Sequence, residues 1–174
     1  MKIGIDISQT AYKNTGVGNY LKNLVQTLVE TDKNNEYILF FSSLRRNPPH
    51  FNLSKNAKIK RFRFPPTMLD FIWNKLHILS VEKLIGNLDV FITSDWTEPP
   101  SKAAKSTIIY DLVVYKTPKE TSSKIINVQK RKLDWVKKES KLIFCISEST
   151  RRDIKEILKI PENKLKVLYP GINL

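Results

Sequence analysis

Lys2-Ile3-Gly4-Ile5-Asp6-Ile7, then Asn14-Thr15-Gly16-Val17-Gly18-Asn19, then Tyr20 to Val29 spell an apolar strand, a glycine turn and an amphipathic helix. In the last run Leu21, Leu24, Val25 and Leu28 recur at helical spacing, and Lys22, Asn23, Gln26 and Thr27 take the opposite face. A glycine turn that opens a helix is a place to hold an anion. The backbone N–H groups can approach a ligand with no Cβ in the way, and the unpaired amides of the first turn sit at the positive end of the helix dipole. The dinucleotide fingerprint G-x-G-x-x-G would need glycine where Leu21 stands, and the Walker lysine is absent. By itself the turn is equally compatible with a connection that binds nothing.

Outward from this unit, apolar runs alternate with helical ones. Strands are predicted at Tyr37 to Phe41, Lys58 to Phe64, Val90 to Thr93, Thr107 to Tyr110, Leu142 to Ile146 and Lys166 to Tyr169. Between them Leu69, Ile72, Leu76 and Leu79 mark one helix, Ile126, Leu133 and Val136 a second, and Ile154, Ile157 and Leu158 a third. Several strand runs are continuously apolar, as strands of a parallel sheet covered on both faces must be, so the rhythm is that of βαβ units in an α/β fold. Pro48-Pro49, Pro65-Pro66 and Pro99-Pro100 punctuate loops, and none reads as an interdomain linker.

The chain of 174 residues fits one domain with a real core. Its 41% hydrophobic and 27% charged residues are close to the globular norm. Charge is the unusual quantity: 30 Lys and Arg against 17 Asp and Glu give a net +13, a field that concentrates phosphate-bearing substrates, acidic lipid surfaces or nucleic acid without choosing among them. The single cysteine, Cys145, lies in an apolar run, so no internal disulfide and no metal cluster is expected. Asp6 interrupts the N-terminal apolar stretch, which does not read as a signal peptide, and no run approaches the ~18 apolar residues of a membrane span. The expected location is the cytoplasm.

In an open parallel sheet, ligands collect where the strands end at their carboxyl sides. The polar residues there are Asp6 and the glycine turn, then Ser94, Asp95 and Trp96, then Tyr110 and Asp111, then Ser147 and Glu148. Each has a structural alternative: Ser147 as a helix N-cap, which takes precedence over ligand contact, Asp111 as a turn cap, Trp96 packed under a loop and Asp6 bracing its neighbours.

Four motifs in order carry a family resemblance. Lys2-Ile3-Gly4-Ile5-Asp6 with Thr15-Gly16-Val17-Gly18-Asn19-Tyr20, then Ile109-Tyr110-Asp111-Leu112 with Pro118-Lys119-Glu120, then Cys145 to Ile154, then Val167-Leu168-Tyr169-Pro170-Gly171-Ile172-Asn173 resemble the N-terminal domain of family-four, group-one glycosyltransferases of the GT-B fold. The resemblance implies a Rossmann-like parallel sheet with helices on both faces, one half of a GT-B architecture. It further implies an acceptor site and part of a donor phosphate cradle, working with a second domain that binds the nucleotide sugar; the 174 residues end where that domain would begin. Transfer in the family retains anomeric configuration and usually proceeds without a bound metal. Carried over by resemblance, Tyr110 and Asp111 are candidate catalytic residues, and Gly16, Val17, Gly18, Asn19, Asp95, Trp96, Ser147 and Glu148 are candidates for donor or acceptor binding. No metal site and no cofactor are expected. Tyr110 stands where the family usually has histidine, and a phenol donates a hydrogen bond but does not titrate near neutral pH. His50 and His77 match no family position and are read as structural or solvent-facing.

Two basic stretches remain. Arg45, Arg46, Lys55, Lys58, Lys60, Arg61 and Arg63 lie in an acid-free stretch, and Lys130, Arg131, Lys132, Lys137, Lys138 and Lys141 crowd a helix. Solvated faces are the default reading. The first stretch leads into Phe62, Phe64, Phe71, Ile72 and Trp73, a combination that suits an anionic membrane surface or a lipid-linked acceptor and would place the protein at the inner face of the membrane. The expected partners are a nucleotide-sugar donor, an acceptor that is lipid-linked or a polysaccharide, and the missing C-terminal domain. The competing reading is a stand-alone basic module for nucleic acid or anionic surfaces. Against specific nucleic-acid binding, the sequence has no RNA-recognition aromatic signature, helix-turn-helix or zinc spacing.

Overall fold

The computed structural model describes residues 1–171; Ile172 and Asn173, the end of the fourth motif, lie outside the described residues. In chain order the elements are β1 (Lys2–Asp6), α1 (Gly16–Thr31), β2 (Glu36–Ser42), β3 (Ala57–Phe62), α2 (Pro66–Leu69), α3 (Glu82–Ile85), β4 (Val90–Thr93), β5 (Ala104–Ile109), α4 (Val113–Lys116), α5 (Ser123–Glu139), β6 (Leu142–Cys145), α6 (Glu148–Leu158) and β7 (Leu165–Val167). The strands form one sheet in the order β3-β2-β1-β4-β5-β6-β7, and every pair is parallel. Strand order reverses between β1 and β4, the switch point at which such sheets open a crevice.

Period-two alternation divides the strands between two cores. On one face α1 lays Leu21, Val25 and Val29 against Ile5, Ile7, Tyr37, Leu39 and Phe41. On the other, Ile38, Phe40 and Phe91 meet Leu69, Trp73 and Ile85, while Ile109, Ile143 and Cys145 meet α5 and α6 through Leu133, Val136, Ile154 and Leu158. This two-sided burial explains why β2 reads as an unbroken apolar run. The three long helices begin on hydroxyl caps: Thr15 accepts from the Gly18 amide, Ser122 from Ile125 and Ser147 from Thr150.

The helix expected through Leu69, Ile72, Leu76 and Leu79 is a correction. Only Pro66–Leu69 is α-helical; Asp70–Lys75 winds as a π-helix, with the Leu76 amide donating to Phe71 O at 3.0 Å. A regular 3.6-residue period would put Leu76 on the stripe of Leu69, Ile72 and Trp73; with the widened winding Trp73 and Asn74 are buried and Leu76 is exposed. The segment then ends on left-handed backbone at His77 (φ 52°) and Leu79 (φ 64°). Trp73 is therefore core, not part of an exposed aromatic surface.

Lys132 is the second correction. The basic run suggests a solvated lysine, yet Lys132 is 2% exposed and lies under α5 in a polar layer between helix and sheet. Its Nζ donates to Thr107 Oγ1 at 2.9 Å; the Thr107 and Thr93 hydroxyls are 2.8 Å apart, and Thr93 donates to Glu98 Oε2 at 2.5 Å. Lys105 Nζ stands 2.9 Å from Glu98 Oε1 and 2.6 Å from Glu139 Oε2. The first of these contacts is an ion pair without hydrogen-bond alignment. Glu139 Oε1 in turn meets His77 Nε2 at 2.8 Å, so His77 is structural. Burial pushes the Lys132 ammonium down in pKa, opposed by the charges of Glu98, Asp95 and Asp6. It raises the Asp6 and Asp95 carboxyls, with Lys132 opposing in both cases.

Candidate functional site

The carboxyl ends of β5 and β6 and the first turns of α1 open onto a cleft of about 610 Å³. Gly16, Val17, Asn19 and Tyr20 of α1 line one wall; Tyr110, Asp111 and Ile146 line another; Tyr169, Pro170 and Gly171, beyond β7, close the third. All four motifs singled out in the sequence thus contribute to one concavity. Tyr20 fixes its geometry, meeting Tyr110 edge-on at 5.6 Å between ring centroids and donating its hydroxyl to Leu168 O at 3.0 Å.

The two glycines of the turn differ in what surrounds them. A Cβ on Gly16 would meet nothing within 4 Å, whereas one on Gly18 would come within 2.7 Å of Tyr12 O and 2.9 Å of Thr15 Oγ1. Gly16 faces the open cleft; Gly18 lets α1 pack against the turn that precedes it and lies outside the lining, which corrects the expectation that both glycines present backbone to a ligand. The Gly18 amide is already bonded to Thr15 Oγ1 and the Asn19 amide to Thr15 O. The Gly16 and Val17 amides are thus the first-turn donors directed at the cleft end of the helix. Gly18→Ala is expected to destabilise by about 1–3 kcal/mol from overpacking against backbone, outweighing a helix-propensity gain of about 1 kcal/mol. A thermal melt that stayed level or rose would contradict this placement.

Asp111 is exposed, and its Oδ1 accepts from the Val113 amide at 3.0 Å, so it caps a turn while presenting its carboxylate to the cleft. Tyr110 faces the cleft with its ring. Its hydroxyl is buried 3.0 Å from Ser94 Oγ, and burial, ahead of its neighbours, pushes that phenol well above its ordinary pKa. The phenol oxygen is thus engaged with the Ser94 hydroxyl, either of the two being able to donate.

The remaining candidates stand outside this cleft. Asp6 and Asp95 point to the opposite sheet face, where Gln129 donates to Asp95 O at 3.0 Å and to Asp95 Oδ1 at 3.1 Å. Trp96 lines a separate groove of about 380 Å³ with Tyr12, Pro66, Ile125 and Val128. Ser147 caps α6, its Oγ accepting from the Thr150 amide at 3.0 Å, and Glu148 pairs with Arg151 at 2.7 Å; these two hold the start of α6 and with it the position of Ile146. Period-two alternation accounts for Asp6 and Asp95, each next in sequence to residues of the α1 face, Ile5 and Ile7 in one case and Ser94 beside Tyr110 in the other. Tyr20, Asn23, Leu24 and Thr27, unremarked as site residues in the sequence, extend the α1 wall; their spacing on the helix was the available signal.

Chemically, the cleft offers two backbone donors at a helix N-terminus, one carboxylate and an aromatic wall, a set suited to a ligand with both a phosphate and hydroxyls. Among the described residues no group of three His, Cys, Asp or Glu is placed to hold a metal ion, and no helix is long and apolar enough to cross a membrane. The family model described as Glycosyltransferase Family 4 matches residues 14–174, a span that includes every residue named above as lining the cleft. No curated protein matches the chain.

Proposed function

The chain belongs to glycosyltransferase family 4, and on that premise we propose that it forms the acceptor-side, Rossmann-like half of a GT-B enzyme that transfers sugar from a nucleotide-sugar donor with retention of configuration. The observation that carries this reading is the convergence of Gly16, Val17, Tyr110, Asp111 and Tyr169 on one cleft. In it the Gly16 and Val17 amides receive a donor phosphate oxygen, and Asp111 accepts a hydrogen bond from a hydroxyl of the reacting sugar. Tyr110 supplies the ring against which that sugar rests. The groove at Trp96, next to Asp95, takes the more remote part of the acceptor, a lipid-linked or polysaccharide molecule. Ser147 and Glu148 act at a distance by anchoring α6.

A second domain, beyond these residues, binds the nucleotide and neutralises the departing diphosphate. Both functions need groups that face the cleft from across it, because positioning two reactants and stabilising developing charge supply most of the rate in such transfers. The protein works in the cytoplasm at the inner face of the membrane, where its net +13 draws it to anionic surfaces. The 174 residues assayed alone with UDP-glucose or GDP-mannose are expected to show no turnover. Multiple turnover without added protein would overturn the two-domain reading.

A further inference from the structure

The stretch from Phe71 to Leu79 inverts the usual polarity of burial. Phe71, Leu76, Ile78 and Leu79 are 48, 46, 54 and 37% exposed. His77, in their midst, turns inward to Glu139 and lies flat against Trp135 at 3.5 Å. This exposure is held in place: the Leu76 amide donates to Phe71 O and the Ile78 amide to Ile72 O, each at 3.0 Å, and Trp73 Nε1 donates to Leu79 O at 2.9 Å. Large apolar side chains held outward by a hydrogen-bonded backbone mark a place of contact.

Charge around the patch identifies the contact. Lys75 Nζ sits 5.4 Å from the centre of the Phe71 ring, Lys138 Nζ 4.5 Å from that of Trp135, and exposed Lys83 stands in α3, four residues after Leu79. The bordering acids are already engaged. Asp70 pairs with Arg131 at 2.6 Å, Glu139 with Lys105 and His77, and Glu82 Oε1 accepts from Ser101, Lys102 and Ala103. What faces outward is apolar surface with a positive collar. By contrast Phe62 stacks between Phe40 and Phe64, and both Phe62 and Phe64 pack against the core.

We infer that this face docks on an anionic lipid bilayer, with Phe71, Leu76, Ile78 and Leu79 entering the headgroup boundary and Lys75, Lys83 and Lys138 meeting lipid phosphates. The inference deepens the transferase reading by naming the surface that meets the membrane, and rests on it only for the purpose of the docking.

Co-sedimentation of the chain with vesicles tests it. The protein is expected to pellet with an equimolar mixture of phosphatidylcholine and phosphatidylglycerol and to remain in solution with phosphatidylcholine alone. The pair Phe71→Ser and Ile78→Ser should weaken partitioning at least about tenfold, given the apolar area withdrawn. Lys75→Glu and Lys138→Glu should each weaken it about fivefold or more. Lys58→Glu, on the β3 edge, should change it by less than about twofold, since it lies outside the collar. The lysine variants keep the inference testable should the serine pair fold poorly. Equal binding to neutral vesicles, wild-type binding by the serine pair, or a Lys58→Glu loss as large as that of Lys75→Glu would overturn it. Donor binding at Gly16 is measured without vesicles, so failure there leaves this surface standing, and failure here leaves the cleft untouched.

Discussion

Lys132→Met is expected to destabilise the fold by about 3–5 kcal/mol, the range for removing one partner from a buried ionic cluster. Methionine nearly conserves volume, so the loss reports charge rather than a cavity. The substitution removes the cation that faces Glu98, Asp95 and Asp6, leaves Thr107 without its donor and leaves Lys105 as the remaining buried ammonium. A partial rescue follows from the same geometry: adding Glu98→Gln removes one excess negative charge and should recover part of the deficit, a coupling that a double-mutant cycle reads directly.

The pH dependence has a definite sign. Burial raises the folded-state pKa of Asp6 and Asp95 above the unfolded value, so stability from these groups is present below the unfolded pKa and is lost as pH rises through the folded one. Removing Lys132 raises both carboxyls further. The deficit of Lys132→Met should therefore be largest near neutrality and narrow as pH falls toward about 4, the ordinary carboxylate range. Urea unfolding at stepped pH measures it, and a deficit that widened on acidification would contradict the assignment.

Gly16→Val is the second large effect. Its Cβ would meet nothing within 4 Å, so the thermal midpoint should hardly move. Affinity for a nucleotide sugar should nevertheless fall at least about a hundredfold, because hydrogen bonds from amides to a charged phosphate contribute about 1.5–3 kcal/mol each and the isopropyl group occupies the approach to both. Paired with Gly18→Ala, expected to harm stability, the two substitutions separate a glycine kept open for a ligand from one kept small for packing.

Period and composition made most of the sheet legible. The β4 bounds agree with the expected run, and the apolar runs at β1, β2 and β6 lie where the strands do, because continuous burial on both faces leaves an unmistakable apolar signature. The strand expected through Lys166 to Tyr169 is Leu165–Val167, since Tyr169 turns to the cleft. What the sequence could not separate were residues whose role depends on the third dimension. Gly16 and Gly18 are chemically identical and two residues apart, and what distinguishes them is the crowding of Gly18 by Tyr12 O, Thr15 Oγ1 and Gln9 O. Asp95 and Trp96 lie just past the end of β4 as expected, but alternation sends Asp95 to the other face, where Gln129 holds it, and Trp96 lines the separate groove. Lys132 did leave a trace: it falls between Val128, Leu133 and Val136 on the apolar stripe of α5, where a solvated lysine does not belong. The π-helical winding left none, because one extra residue per turn shifts every later position while the composition stays helical.

The most direct test of the cleft is the amide spectrum of the chain during titration with UDP-glucose and with GDP-mannose, run on the wild type and on Gly16→Val. The account predicts that the Gly16, Val17 and Asp111 amides shift together, saturably and with one midpoint, for one of the two donors, and that the valine variant shows no such response. Perturbations confined to the Tyr12–Trp96 groove, or an unchanged response in Gly16→Val, would contradict it.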